Sequence, residues 1–169
     1  MITIVYGDIL EATENFICHQ VNCKGVMGSG LALQVRQKYY EVYEDYLKEV
    51  NNAEKDPEIL LGTSRVVGIG NDQYIINMFG QDGFSREGID TDYEALKACL
   101  VGIKQIAEQM NFSIALPYKI GCGLGGGDWN IVYGMIEEVF EDYDVSIYNI
   151  EDEAPEIETD SGTLGESDL

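Results

Sequence analysis

The chain has 169 residues, of which 45% are hydrophobic and 24% charged, which is typical of a soluble globular protein large enough to bury a core. Its 10 basic and 31 acidic residues give a net charge of −21, which argues against long nucleic acid as a partner. No segment reaches the roughly 18 apolar residues of a membrane helix, and the start of the chain lacks the basic region of a signal peptide. The four cysteines have no metal-binding spacing. We therefore expect a cytoplasmic monomer with reduced thiols, without metal, cofactor or membrane partner.

The first half of the chain predicts four strands and one long helix. Residues 2–6 and 16–21 are rich in β-branched and aromatic side chains and are bounded by turn formers, as strands are. Apolar residues recur at helical spacing over residues 30–50, which predicts a single helix. Residues 63–69 and 73–79 predict a hairpin around positions 70–72, and residues 80–90 a loop.

In the second half, helices and strands alternate. Residues 91–110 predict a helix with Thr91 as its N-cap and Glu94 completing a capping box. Residues 113–117 predict a short buried strand, residues 128–142 a helix capped by Asp128, and residues 145–150 a last strand. This alternation predicts an α/β sandwich with a parallel or mixed sheet, in which ligands bind beyond the carboxyl ends of the strands.

The acidic charge is concentrated at the end of the chain. Residues 151–169 hold eight acidic residues and no Lys or Arg, and this composition predicts a disordered or loosely attached tail after one domain at residues 1–150. The first 150 residues still carry 23 acidic against 10 basic residues, a net charge of −13. An anionic ligand of this domain would need a local site of backbone N–H groups, because no basic field would hold it.

Two glycine-rich segments, each between a strand and a helix, predict such a site. The first loop, residues 22–30, has glycines at positions 25, 28 and 30, and the second loop, residues 120–127, has five glycines within positions 121–127. Glycine lets the backbone approach a ligand closely, and a helix that follows directs its positive N-terminus at the same place. We expect the two loops to face one another across a crevice and to hold a diphosphate from both sides.

Two further residues are candidates that also have a structural interpretation. His19 is the only histidine, and its side chain suits acid–base chemistry near neutral pH. Strand alternation, however, places it on one face with Ile17 and Val21, where a core residue would lie. Asp8, which follows the first strand, could form a turn or accept a hydrogen bond from an exocyclic amine.

With these motifs in place, the chain resembles the macrodomain family over about residues 1–150. The resemblance is carried by Gly7-Asp8-Ile9, by residues 19–32, by residues 121–129 and by Tyr148. It implies a three-layer α/β/α sandwich with a mixed central sheet that binds ADP-ribose, with Asp8, Ile9 and Tyr148 at the adenine and Asn22 at the ribose. The other ligand-binding residues that it implies are Gly7, Gly25, Val26, Gly28, Ser29, Gly30, Leu31, Ala32, Ile120, Gly121, Cys122, Gly123, Leu124 and Gly125.

Residues 19–32 are similar to the branch that contains ADP-ribose 1''-phosphate phosphatases and terminal ADP-ribose protein glycohydrolases. For a phosphatase, the resemblance implies that His19 activates water or attacks phosphorus, with Asp128 as an acidic partner or only as a helix cap. The glycohydrolases use an aspartate where this sequence has Gly125. Dephosphorylation of ADP-ribose 1''-phosphate is therefore the leading hypothesis. The alternatives are removal of ADP-ribose from a modified macromolecule and a non-catalytic module that binds or sequesters ADP-ribose-type nucleotides.

Overall fold

The computed structural model describes residues 1–84, 88–123 and 125–151. Leu124, the predicted tail from residue 152 onward and part of the loop at residues 80–90 lie outside the described residues. Six strands form one mixed sheet in the order β1-β6-β5-β2-β4-β3. These strands are β1 (Ile2–Tyr6), β2 (Phe16–Val21), β3 (Ser64–Gly70), β4 (Gln73–Phe79), β5 (Ile114–Pro117) and β6 (Val145–Asn149).

Helices cover both faces of this sheet. They are α1 (Gly30–Lys38), α2 (Tyr40–Asn52), α3 (Pro57–Leu60), α4 (Tyr93–Met110) and α5 (Trp129–Val139). On one face, α4 and α5 pack on a cluster that includes Cys18 and Met78. On the other face, α1 and α2 bury their apolar residues against strand positions such as Ile17 and Val21. The chain thus forms the predicted α/β/α sandwich with a mixed central sheet.

The β3–β4 hairpin confirms the predicted turn. Asn71 and Asp72 both have positive φ, 55° and 58°, as the two central residues of a type I′ turn require. The antiparallel pairing continues from this turn along both strands.

The helix predicted over residues 30–50 is two helices in the structure. Tyr39 has φ −132° and ψ 78°, so the helical backbone is interrupted between α1 and α2. Val35, Val42, Tyr46 and Val50 are nevertheless all buried, because the apolar stripe continues across the break. Hydrophobic periodicity alone does not show an interruption that keeps the buried face unchanged.

The prediction of Thr91 as the N-cap of α4 is wrong. The cap is Asp92, whose carboxylate accepts a hydrogen bond from the N–H of Ala95 at 3.0 Å. The hydroxyl of Thr91 instead donates to the carbonyl of Gly121 at 2.6 Å, so this residue makes a tertiary contact. The predicted cap of α5 is confirmed, since Asp128 accepts from Asn130 N at 2.9 Å.

The direction of the strands brings the candidate segments together. Strands β1, β6, β5, β2 and β4 are parallel, and β3 is antiparallel to β4. The carboxyl ends of the five parallel strands therefore share one edge of the sheet. Residues 7–9, the first loop, residues 80–84 and the turn that leads into the second loop all follow these ends. Within the described ranges, no helix combines the length and apolarity needed to cross a membrane.

Candidate functional site

A cavity of about 650 Å³ opens at this edge of the sheet, between the two glycine-rich loops. Its wall brings together many of the predicted site residues: His19, Asn22, Val26, Gly28, Ser29, Gly30, Leu31, Ala32, Ile120, Gly121, Gly123 and Gly125. The sequence interpretation missed several lining residues, among them Gln20, Gln81, Phe84, Tyr118 and Lys119. The predicted meeting of the two loops at one crevice is therefore present.

The shape of the first loop depends on Asn22 and Tyr46. The amide of Asn22 donates to Val26 O at 2.8 Å and accepts from Lys24 N at 2.9 Å. The buried Tyr46 hydroxyl donates to Asn22 O at 2.7 Å and accepts from the N–H groups of Gly25 and Val26, both at 3.1 Å. Burial raises the pKa of Tyr46, so its oxygen stays protonated. Gly25 and Val26 were predicted to bind ligand, but their N–H groups are directed to Tyr46.

The N-terminus of α1 supplies donors that face the cavity. Within the described residues, the N–H groups of Gly30, Leu31 and Ala32 have no hydrogen-bond partner. Ser29, the N-cap, makes no side-chain cap bond in this part of the chain, and the first paired N–H is that of Leu33, with Ser29 O at 3.2 Å. Unpaired N–H groups and the positive end of the helix dipole together form an anion site.

The second loop supplies a second set of donors. The N–H groups of Gly121, Gly123 and Gly125 have no acceptor among the described residues, and all three residues line the cavity. Intervening N–H groups hold the loop itself, through the pairs Cys122 N–Lys119 O (2.9 Å), Gly126 N–Gly123 O (3.1 Å) and Gly127 N–Gly121 O (2.9 Å). On both sides of the cavity, therefore, there are backbone donors without an acceptor in the part of the chain that the structure describes.

Hydrogen bonds from Thr91, which lies just before α4, hold the second loop, and Gln20 in turn holds Thr91. Gln20 Nε2 donates to Gln81 Oε1 at 2.7 Å and to Thr91 Oγ1 at 2.9 Å. The N–H of Thr91 donates to Gly125 O at 3.0 Å, while its hydroxyl donates to Gly121 O. These contacts join residues far apart in sequence, so no local pattern indicated them.

Gly125 has no space for a side chain in this arrangement. A Cβ atom there would lie 2.4 Å from Thr91 Oγ1 and 2.8 Å from Gly121 O. A Cβ atom at Gly123 would meet nothing within 4 Å. The packing of the loop therefore requires a glycine at position 125.

His19 lines the cavity but lies deep in its wall, with 3% of its surface exposed. The ring Nε2 lies 2.6 Å from Asn77 Oδ1, so the proton is on Nε2, and Nδ1 has no partner within the described residues. Burial lowers the pKa of His19 from 6.5 to about 4, which leaves the ring neutral at pH 7. The ring can accept a hydrogen bond at Nδ1 but cannot serve as an acid. Ile17 and Val21 are buried on the same face, as predicted.

Four predicted residues, Gly7, Asp8, Ile9 and Tyr148, lie outside the cavity wall. Asp8 accepts from Leu10 N at 2.9 Å and caps a 3-10 turn at Ile9–Glu11, and Ile9 is buried in the core. The hydroxyl of Tyr148 donates to Glu14 Oε1 at 2.7 Å, and burial raises the pKa of Tyr148 to about 12. Gly7, Asp8, Ile9 and Tyr148 follow or belong to β1 and β6, and their role at an adenine stays a prediction.

Two residues with reactive groups have structural contacts. Burial raises the pKa of the Cys122 thiol to about 11, and this thiol donates to Ile120 O at 3.4 Å. Asp128 is exposed, and its carboxylate caps α5. A catalytic role for Asp128 therefore stays a prediction, with capping as the role that the structure describes.

Comparison with known proteins identifies the family. The Macro domain family model matches residues 18–136, which is most of the chain, and the chain belongs to the macrodomain family. The DNA ADP-ribosyl glycohydrolase of Mycobacterium tuberculosis is 34% identical over 155 residues, which cover 88% of this chain and 42% of that protein. This chain thus spans about two fifths of the length of that relative.

Two further relatives are similar over most of their own length. Human ADP-ribose glycohydrolase OARD1 is 28% identical over 147 residues, covering 86% of this chain and 88% of that protein. The ADP-ribose 1''-phosphate phosphatase of Meyerozyma guilliermondii is 22% identical over 159 residues, covering 79% of this chain and 91% of that protein. The names of these relatives are those of hydrolases that act on ADP-ribose derivatives.

Solved structures agree with the family. A Bacteroides thetaiotaomicron protein of unknown function has a TM-score of 0.79 at 27% identity, covering 88% of this chain and 98% of that one. The macrodomain of Mycobacterium tuberculosis DarG has a TM-score of 0.75 at 30% identity, covering 88% of this chain and 97% of that one. The three-layer sandwich is therefore a macrodomain fold.

Proposed function

We propose that the protein binds the ADP-ribose moiety in the cavity and hydrolyses a derivative substituted at C1'' of the distal ribose. The observation that carries this proposal is that residues at the start of α1 and in the second loop, whose N–H groups have no partner among the described residues, line one cavity. A diphosphate between them would accept hydrogen bonds on both sides. In a chain with a net charge of −21, such local donors are the means of holding an anion.

The size and lining of the cavity suit the remainder of this ligand. Its volume of about 650 Å³ lies within the range of small-molecule sites. Val26, Leu31, Ile120 and Phe84 provide apolar surface for the nucleoside and the distal ribose, alongside the polar groups of Gln20 and Gln81. We assign the diphosphate to the loops and the sugars to these apolar walls.

Among such derivatives, we propose ADP-ribose 1''-phosphate as the substrate. Water would attack phosphorus, the bond from phosphorus to the C1'' oxygen would break, and ADP-ribose and inorganic phosphate would leave. Neutral His19 would accept a hydrogen bond from the attacking water at Nδ1, and the loop N–H groups would stabilise charge on the phosphoryl oxygens. Because its pKa is about 4, His19 is a weak base and acts mainly by orienting the water.

Removal of ADP-ribose from a modified macromolecule is the second candidate. It is favoured by the 34% identity to a protein named DNA ADP-ribosyl glycohydrolase. Two observations weigh against it: Gly125 leaves no space for a carboxylate, and the acidic domain repels a DNA backbone.

Turnover of two substrates separates these candidates. Purified protein is incubated with ADP-ribose 1''-phosphate and, separately, with an ADP-ribosylated DNA oligonucleotide, and released phosphate and ADP-ribose are measured. We expect phosphate release, with kcat at least about tenfold lower in His19→Gln and KM little changed. Release of ADP-ribose from DNA alone would establish the second candidate. Calorimetric binding of ADP-ribose without turnover of either substrate would indicate a binding module, and absence of binding would reject the whole proposal.

A further inference from the structure

Lys119 stands out among the residues of the cavity wall. It is the one residue with a formal charge among the described residues that line the cavity. It lies in the turn between β5 and the second loop, and its carbonyl accepts the N–H of Cys122 at 2.9 Å. The side chain that carries the ammonium group therefore starts next to the second loop, whose N–H groups form one of the two sets of donors.

The backbone at this position does not explain a lysine. Lys119 has φ +60°, in the left-handed region that favours Gly and Asn. A lysine is less favourable than a glycine in this backbone conformation. The carbonyl contact that shapes the turn needs no side chain.

The ammonium group of Lys119 lies near another residue of the cavity wall. Nζ lies 5.7 Å from the centroid of the Tyr118 ring, and Tyr118 also lines the cavity. The charge of Lys119 opposes the effect of burial on the pKa of the Cys122 thiol, which places that charge within electrostatic reach of the second loop. A cation in the wall of an otherwise acidic protein offsets part of the negative potential that repels an anion.

We propose that Lys119 is a ligand-binding residue whose ammonium group pairs with the anionic part of the bound ADP-ribose derivative. This inference rests on the proposed function, because it takes the ligand to be a nucleoside diphosphate derivative. Lys119 supplies an attractive positive charge, while the loop N–H groups orient the ligand through directional hydrogen bonds. A hydrogen bond to a charged group is worth enough to change affinity by about tenfold or more.

The test uses neutral and charged replacements with a matched control. Lys119→Asn removes the charge with a residue that tolerates positive φ, and Lys119→Arg keeps the charge. Lys55→Asn is the control, because Lys55 has φ 59°, is exposed and does not line the cavity. Dissociation constants for ADP-ribose and for uncharged adenosine are measured by calorimetry, with thermal unfolding of each variant.

We expect Lys119→Asn to weaken ADP-ribose binding at least about tenfold relative to Lys55→Asn, with adenosine little affected and Lys119→Arg close to wild type. If wild type binds ADP-ribose and Lys119→Asn binds it as Lys55→Asn does, the inference is wrong and the proposed function stands. An equal loss for ADP-ribose and adenosine would also reject it, since shape rather than charge would then be responsible. If wild type does not bind ADP-ribose, the proposed function itself fails.

Discussion

Tyr46 shows how a residue outside the cavity determines which donors face into it. Its hydroxyl accepts the N–H groups of Gly25 and Val26, so the first loop is held in shape before any ligand arrives. The donors left for an anion are those at the start of α1. A tyrosine in an apolar helical stripe predicts only a core position, and its hydroxyl contacts depend on a loop 20 or more residues away.

We expect Tyr46→Phe to lower the free energy of unfolding by about 1 to 3 kcal/mol, because two N–H groups and one carbonyl lose their partner. Affinity for ADP-ribose should fall several-fold, since the loop loses its fixed shape. Urea unfolding and calorimetry measure the two effects. Tyr40→Phe, on the exposed face of the same helix, is the control. Reduced stability with unchanged affinity would show that the loop does not need the hydroxyl.

The burial of His19 also predicts how the free energy of unfolding depends on pH. Its folded pKa of about 4 lies below the ordinary 6.5, so the unfolded chain binds more protons between these values. The stabilisation from the neutral ring is complete above pH 6.5 and is lost as pH falls towards 4. Relative to His19→Gln, the wild type should lose about 2 to 3 kcal/mol of unfolding free energy between about pH 7 and pH 4.5.

Urea unfolding of both proteins at the two pH values measures this difference, in which the many carboxylates common to both cancel. Parallel pH profiles would mean that the pKa of His19 is not lowered by folding and that the proposed neutral acceptor is wrong.

Among the elements, the second loop depends on contacts with residues far from it in sequence. Thr91 donates a hydrogen bond to the carbonyl of Gly121, and Gln20 donates one to the Thr91 hydroxyl. Gly125 packs directly against the Thr91 side chain. The loop therefore behaves as one unit with the residues that precede α4. A substitution at Gly125 or at Thr91 would therefore disturb both the loop and the residues that precede α4.

Gly125→Asp should destabilise the protein by more than about 1 kcal/mol and weaken ADP-ribose binding at least about tenfold, because the new Cβ cannot fit without moving the loop. It should not create glycohydrolase activity. Gly123→Ala, where a Cβ meets nothing within 4 Å, should leave stability unchanged to about 0.5 kcal/mol. Denaturant unfolding, calorimetry and the DNA substrate assay compare the two variants. Normal stability of Gly125→Asp would contradict the packing argument.

The strands and helices could be predicted because their hydrophobic patterns are local. The sheet order and the meeting of the two loops follow from parallel strands that end at one edge. The break at Tyr39 could not be predicted, since the apolar stripe is the same on both sides of it. Thr91 and Asp92 are both good cap formers, and a contact with Gly121, about 30 residues away, decides between them. The lining residues that the sequence did not indicate, such as Gln20 and Gln81, are likewise positioned by tertiary hydrogen bonds.

For the molecule as a whole, the net charge of −21 and the proposed anion site would have opposite effects on a nucleotide. The long-range field repels it, whereas the loop donors and Lys119 act at short range. Salt screens the first effect over about 10 Å at 0.1 M and changes the second much less. Approach of the ligand and its final affinity should therefore respond differently to ionic strength.

We expect the association rate constant of ADP-ribose to rise as salt increases from about 20 to 200 mM, the reverse of electrostatic steering. Stopped-flow measurements with a fluorescent ADP-ribose analogue determine this rate, and an uncharged adenosine analogue should show no such rise. A rate that falls with salt would mean that the local positive potential extends beyond the cavity mouth.

The contact between Gly125 and Thr91 has a consequence for how activity can change within this fold. An acidic residue at position 125 would meet the side chains of Thr91 and Gln20 and the carbonyl of Gly121, so replacing Thr91 removes only one of the three obstacles. A chain of this kind could acquire a carboxylate in the second loop only after other substitutions had changed the conformation of that loop. Single substitutions along that route would be selected against, so descendants of such a chain would tend to keep their chemistry even where their substrates diverge.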